Sequence, residues 1–216
     1  MVNRQTRSRI LIFMAAKKRR RRKTIETAVG SPGDVNSPDS NGWTPLMRAC
    51  SSRPIKTVLA TIVGGADVNK TDDEGFGPLM CASGQGRADV IMVLLGHAAQ
   101  VDAADEYGRT PLSWAVTKGD FEEAAKVLIA AGANVNCTDL GGFTPLMRAA
   151  LLSHVRCFDL LVRNGADTET VHPDWRKTAL DMAIERGSEA LKAIAQRLKS
   201  QRPALGKNSR NRERSF

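Results

Sequence analysis

The chain has 216 residues, 42% of them hydrophobic and 5% aromatic, with a formal net charge of +9. That length can bury one sizeable core, but six Phe, three Trp and one Tyr are too few for a sandwich or barrel, whose strands draw on aromatic and β-branched residues; the Ala and Leu content leans helical. The charge sits at the ends: residues 1–38 hold ten Lys/Arg against two acids and residues 199–216 six against one, which leaves 39–198 at −4.

Read from the N-terminus, the first element is a charge run. Lys17, Lys18, Arg19, Arg20, Arg21, Arg22 and Lys23 follow one another without interruption, and such a run repels itself and stays extended. It fits the simple nuclear-import pattern first and a nucleic-acid contact second. An organelle transit peptide comes third, because residues 1–22 are Arg-rich and hold no acid, although no amphipathic helix is evident. The apolar stretch 10–16 falls far short of the roughly eighteen residues of a membrane span, and its basic flanks do not suit a cleaved signal peptide. Ser31-Pro32 and Ser37-Pro38 punctuate a Gly/Pro/Asp linker, where phosphate would weaken the neighbouring basic field. Residues 1–38 are therefore expected to form a basic, disordered arm with a localisation signal.

From residue 39 the sequence repeats itself. TPLM at 44–47 recurs at 144–147, with GPLM at 77–80, TPLS at 110–113 and TALD at 178–181. Pro45, Pro78, Pro111 and Pro145 are 33, 33 and 34 residues apart, and Ala179 follows after another 34. A second marker keeps the same step: GADVN at 65–69, AAQVD at 98–102, GANVN at 132–136 and GADTE at 165–169. With two markers in fixed phase, the chain resembles the ankyrin repeat family over about three quarters of its length. The resemblance implies an all-α repeat solenoid of about five helix-turn-helix-hairpin units, near 39–71, 72–104, 105–138, 139–172 and 173–200, in one domain over 39–200.

The residues supply physical reasons for such units. Thr44, Thr110, Thr144 and Thr178 suit a helix N-cap, where the hydroxyl accepts an orphan backbone N–H. Proline next to them gives up an N–H that has no helical partner anyway. Gly77 replaces the threonine in the second unit, at a cost of about a few tenths of a kcal/mol. Ala49, Ala82, Ala115, Ala149 and Ala183 let two helices approach, and Gly86, Gly119 and Gly187 part them. The second helices carry the apolar period through Val90, Val93 and Leu94, Val127 and Leu128, and Phe158, Leu161 and Val162. Gly-Ala pairs should then end each helix pair in a left-handed cap. No unit buries its apolar face alone; stacked neighbours bury it in series.

The two ends differ. Ala179 for proline, with Glu189, Lys192, Gln196, Arg197 and Lys199 along the second helix, reads as a terminal cap with a wet outer face. The first unit reads as unfinished: Ile55, Val58, Leu59, Ile62 and Val63 are apolar on more than one face, and residues 10–16 or 24–29 are candidates to cover them. The basic run 199–216 is expected to be disordered, with 201–216 outside the repeat domain.

Catalytic signatures are missing from the sequence. No G-x-x-x-x-G-K-[ST], G-x-S-x-G or H-E-x-x-H occurs; of the two G-x-G stretches, Gly75-Phe76-Gly77 runs into the GPLM motif and Gly84-Gln85-Gly86 falls on a helix–helix turn. Asp72, Asp73 and Glu74 gather, as do Asp102, Asp105 and Glu106, in the way acid–base chemistry uses carboxylates. As hairpin residues, however, they read as solvated acids, Glu122 and Glu123 as a solvated helix face, and His154 as a turn residue bonding locally. Cys50, Cys81, Cys137 and Cys157 lack C-x-x-C spacing, and His97, His154 and His172 lack partners at ligand spacing. Neither a disulfide framework, a metal site nor a cofactor is expected, and the thiols read as reduced in an intracellular compartment.

The family resemblance also implies a concave groove made by hairpin tips and first helices. Along it Trp43, Phe76, Tyr107, Phe143 and Trp175 stand one per unit, immediately ahead of the TPL-type motif or two residues earlier. Leu151 and Leu152 follow the fourth first helix, where polar groove residues are usual. Either these rings anchor a partner, or they pack hairpin on hairpin and stiffen the solenoid. Beside Asp73, Glu74, Glu106 and Arg109 the rim reads as mostly acidic, suited to a basic protein segment with an apolar anchor. The expectation is a non-catalytic, monomeric adaptor, nuclear or nucleocytoplasmic, with no membrane association. Its contact set is Trp43, Phe76, Tyr107, Arg109, Phe143, Leu151, Leu152 and Trp175. The rival is a nucleic-acid-associated protein acting through its basic arms while the repeats hold a partner.

Overall fold

The computed structural model describes residues 34–201. The basic run 17–23, Ser31, the stretches 10–16 and 24–29, and residues 202–216 lie outside the described residues. Among the described residues ten helices follow one another in five pairs: α1 (Pro45–Ser52) with α2 (Ile55–Val63), α3 (Pro78–Gly84) with α4 (Ala88–Gly96), α5 (Pro111–Lys118) with α6 (Glu122–Ala130), α7 (Pro145–Leu152) with α8 (Val155–Arg163), and α9 (Ala179–Arg186) with α10 (Glu189–Ser200). The first helices of successive pairs stack as an inner layer, and the second helices α2, α4, α6 and α8 as an outer one. Each copy contacts its neighbours in series, which is the all-α repeat solenoid expected from the repeat.

The helix starts follow the capping logic. The Thr44, Thr110, Thr144 and Thr178 side chains accept the N–H of Met47, Ser113, Met147 and Asp181 at 3.2–3.4 Å. Gly77 caps α3 with no side-chain bond. At the other end of each pair Gly65, Gly132 and Gly165 take the left-handed conformation, with φ of +98°, +91° and +82°. In the second copy Ala98 occupies that place at φ 64°, a conformation in which its Cβ crowds the following carbonyl.

The core is a sandwich of the two helix layers. Ala49, Ala82, Ala115, Ala149 and Ala183 are buried where inner helices meet outer ones. The outer helices bury Val58 and Thr61; Val90, Ile91 and Leu94; Ala124, Ala125 and Leu128; and Cys157, Phe158 and Leu161, while Val93, Val127 and Val162 flank them half-buried. Leu59 and Val63 are exposed, at 38% and 58%, but so is Met92 at 57% in the place equivalent to Leu59. Lys126 and Ala130 of the third copy are exposed in the places of Leu59 and Val63 as well.

Three expectations are corrected by the packing. His154 does not bond locally: its Nδ1–H donates to the Val116 carbonyl of the preceding copy at 2.7 Å. Nearby, Asp120 Oδ1 accepts the Cys157 N–H at 2.7 Å, so this turn fastens copy to copy. The hairpin acids are not all solvated, since Asp105 is buried among its donors. Finally, the C-terminal run does not begin outside the fold: α10 extends to Ser200, and Lys199 Nζ reaches Asp181 Oδ1 at 2.5 Å. Glu122 and Glu123 do lie on an accessible helix face, and both engage Lys126.

Candidate partner-binding groove

Each hairpin is built on one acceptor residue. Asp39, Asp72, Asp105 and Asp139 occupy the same place in the first four copies, and each uses Oδ1 to accept two backbone N–H groups ahead of it. For Asp105 these are Tyr107 and Arg109 at 3.0 and 2.9 Å; for Asp139 they are Gly141 and Phe143 at 2.9 and 3.0 Å. The second oxygen is used differently. Asp105 Oδ2 accepts Arg109 Nε at 2.8 Å and Trp114 Nε1 at 3.0 Å, Asp139 Oδ2 accepts the Arg148 guanidinium, and Asp39 accepts Arg48 Nε. Each donor replaces a water that the carboxylate oxygen gives up on burial.

In the fifth copy His172 stands in that place. Its Nδ1 accepts the N–H of Asp174 and of Trp175, both at 3.3 Å, so the proton must lie on Nε2. The ring is buried, and Nε2 has no hydrogen-bond partner among the described residues.

These hubs set the aromatic side chains. In the upstream half, Trp43 and Phe76 lie with centroids 6.0 Å apart, and Phe76 meets Trp114 edge-on at 4.9 Å. Arg109 spans the Tyr107 and Trp114 faces at 4.6 and 4.2 Å, and Lys118 Nζ stands 5.1 Å from Trp114. Trp43, Glu74, Phe76, Arg109, Trp114 and Lys118 line an open groove of about 390 Å³ between the first and third copies, with Tyr107 outside it beyond Arg109. In the downstream half Phe143 packs on His172 and Trp175 at 4.3 and 5.3 Å, with Arg148 and Arg186 over the two outer rings. A smaller hollow of about 250 Å³ there is lined by Leu151, Trp175, Lys177, Met182, Glu185 and Arg186.

The eight residues expected to make contacts thus fall into two groups. Trp43, Phe76 and Arg109 line the upstream groove, with Tyr107 joined to it only through Arg109, and Phe143, Leu151 and Trp175 belong to the downstream cluster. Leu152 is exposed at 45% but lines neither space. Trp43, Phe76 and Phe143 are half-buried against the core; Tyr107 and Trp175 stand out at 51% and 42%. The rim is less acidic than the sequence suggests, because arginines from the inner helices and hairpins lie over the rings. Sequence reasoning missed Trp114, the ring that closes the groove. It stands four residues after Thr110, in the place of Arg48 and Arg148, so the repeat register already marked it as groove-facing.

Nothing in this arrangement activates a nucleophile. Burial pushes the Cys50 thiol up to about 12 and raises those of Cys81 and Cys157 as well. Among the described residues no three His, Cys, Asp or Glu side chains gather to hold a metal ion, and no helix is long and apolar enough to cross a membrane.

Stacked helix pairs, hairpins fastened by side-chain acceptors and an open groove along the inner layer define a helical repeat solenoid. The sequence profile for ankyrin repeats in three copies matches residues 55–139 and again 121–202. The chain belongs to the ankyrin-repeat family. Ankyrin repeats generally mediate protein–protein interaction, and proteins built from them are typically non-catalytic.

Proposed function

We propose that this chain is a non-catalytic adaptor that holds a protein partner in its concave groove. The observation that carries this reading is the upstream wall of Trp43, Phe76 and Trp114, three rings from three copies that face one open space. Large, rigid rings beside polar groups are the material of interface anchors. Exposed Glu74 lines that space, Arg109 there is already paired with Asp105, and exposed Lys118 stands over Trp114. The exposed hairpin acids Asp73, Glu74 and Glu106 outnumber Lys118, which favours an extended segment with an apolar anchor and a basic residue. Tyr107, Arg109, Phe143, Leu151, Leu152 and Trp175 extend the contact surface downstream.

The test separates anchoring from stiffening. Trp43→Ala and Trp114→Ala should each weaken capture of the partner by about 1–3 kcal/mol at a temperature where the variant is fully folded. Variants that melt lower yet bind as well as wild type while folded would assign the rings to scaffold.

A second reading rests on the positive surplus at the two ends. Residues 17–23 act as a nuclear import signal or a nucleic-acid contact, and the adaptor works in the nucleus. Replacing residues 18–22 with alanine should move a fluorescent fusion to the cytoplasm. If the run instead grips nucleic acid, the same replacement should abolish binding that weakens steeply with salt. Unchanged location together with unchanged binding would remove both roles.

A further inference from the structure

Lys118, Leu152 and Arg186 are the last residues of the inner helices α5, α7 and α9, and all three are exposed. Lys118 Nζ stands 5.1 Å from the Trp114 ring centre and the Arg186 guanidinium 5.5 Å from that of Trp175, so a ring holds each cation over the inner layer. Between them Leu152 is 45% exposed, and Leu151 lines the smaller hollow together with Arg186. The nearby acids are already engaged: Asp105 with Arg109, Asp139 with Arg148, Glu185 with Lys177, and Asp120 with Arg156 and the Cys157 N–H. Among the described residues Lys118 and Arg186 enter no ion pair.

A cation in the last turn suits the helix dipole, but the dipole does not account for an exposed leucine in the same place of the copy between. The row also lies at the opposite end of the inner helices from the hairpin acids Asp73, Glu74 and Glu106, which come before α3 and α5. Helices α5, α7 and α9 stack in series. Packed helices lie about 8–10 Å apart, so two steps of the stack separate the two cations by about 16–20 Å. An extended chain covers that distance in about five or six residues.

We propose that this margin takes an acidic segment of a protein partner, laid along the C-terminal ends of α5, α7 and α9. Two carboxylates about five or six residues apart meet Lys118 and Arg186, and an apolar side chain midway between them sits on Leu151 and Leu152. This rests on the inner layer being a protein-binding face, and it adds an acid-binding margin beside the ring-walled groove that favours a basic residue. A nucleic-acid strand is the poorer fit. It brings a phosphate at every nucleotide and no apolar side chain, and its bases would stack on ring faces that Lys118 and Arg186 already cover.

Fluorescence anisotropy on the full chain at low salt tests this with two Gly/Ser peptides. One carries a central Leu flanked by two Glu about six residues apart; its twin carries Lys in both flanking places. The acidic peptide should bind, and Lys118→Glu and Arg186→Glu should each weaken it by about tenfold, as attraction turns to repulsion. Lys56→Glu, exposed on the outer helix α2, should change binding by less than about twofold. The double reversal of Lys118 and Arg186 should take the basic twin instead. Both cations are exposed, so the variants should keep the fold, which a thermal melt checks. Equal losses from Lys118→Glu and Lys56→Glu would reduce the effect to net charge and overturn the proposal. So would displacement of the acidic peptide by a single-stranded oligonucleotide of equal charge, which would assign the cations to phosphate. If wild type holds only the basic twin, the acidic margin falls and the groove reading stands; if it holds neither, both fall.

Discussion

The upstream and downstream halves of the groove use the same register places to opposite ends. In the first three copies the rings lean on one another across hairpins, and the wall they make stays open to solvent as a groove. In the last two, Phe143, His172 and Trp175 close on each other within 4.3–5.3 Å, leaving a smaller hollow beside Trp175. The hub residue goes with the difference. An aspartate draws in donors from the inner helix, Trp114 Nε1 or Arg148, and so fixes a side chain above the hairpin. A histidine draws aromatic faces onto itself. Phe143, whose own hairpin rests on Asp139, closes on His172 of the next copy, so a ring is wall or plug according to the hub it packs against.

Removing a hub should break the comparison most severely. Asp105→Ala leaves two backbone N–H groups, Arg109 Nε and Trp114 Nε1 without their acceptor in a buried place. The expected loss is about 3 kcal/mol in a denaturant melt. Asp72→Ala should cost about 1 kcal/mol, because Asp72 is half-buried and its bonds are to the Glu74 and Phe76 N–H alone. Equal losses at the two sites would mean that the side-chain donors add nothing and that the hub does not set the ring.

This contrast marks how far the sequence was legible. The fold was, because four threonine caps and four prolines at the first helical position recur at a fixed 33–34-residue step, which is local chemistry. The groove was legible only in part. Trp43, Phe76 and Tyr107 carry the motif's register, but Trp114 lies inside a helix, where an aromatic residue reads as core. That Asp105 is buried and Glu106 exposed depends on how the hairpins stack, with the Glu106 N–H bonded to the Glu74 carbonyl of the preceding copy at 2.8 Å. No spacing rule separates two neighbouring acids. His154 was misjudged for the same reason: its acceptor lies 38 residues away.

Substitution at His172 sharpens the same comparison at a smaller scale. His172→Asn keeps an acceptor for the Asp174 and Trp175 N–H groups and should lower stability by about 1 kcal/mol through the lost ring contact with Phe143. His172→Asp keeps the acceptor too, but it buries a charge where Met182 stands in place of Arg148. It should cost about 1–2 kcal/mol more than the asparagine variant. Thermal melts of both proteins decide it; an aspartate at least as stable as the asparagine would show that the downstream hub needs no cation.

The smallest effect belongs to the last copy, where an acid caps a helix and no longer holds a hairpin. Asp181 is drawn down to about 2, first by the Lys199 ammonium and then by the Thr178 N–H that it accepts. An aspartate in the unfolded chain titrates near about 3.9, so the folded state prefers the ionised form. The resulting stabilisation is complete above that value, shrinks as the pH falls towards about 2, and is gone below it. Because the side chain is 35% exposed, solvent screening should hold the contribution under about 1 kcal/mol. Asp181→Asn should therefore melt about 1–3 °C below wild type at neutral pH. The gap should persist down to about pH 5 and narrow by about pH 3, as wild type itself takes up the proton. A gap that stays constant over that range would place the effect in the cap's shape, which asparagine alters at every pH, and not in the charge that Lys199 holds.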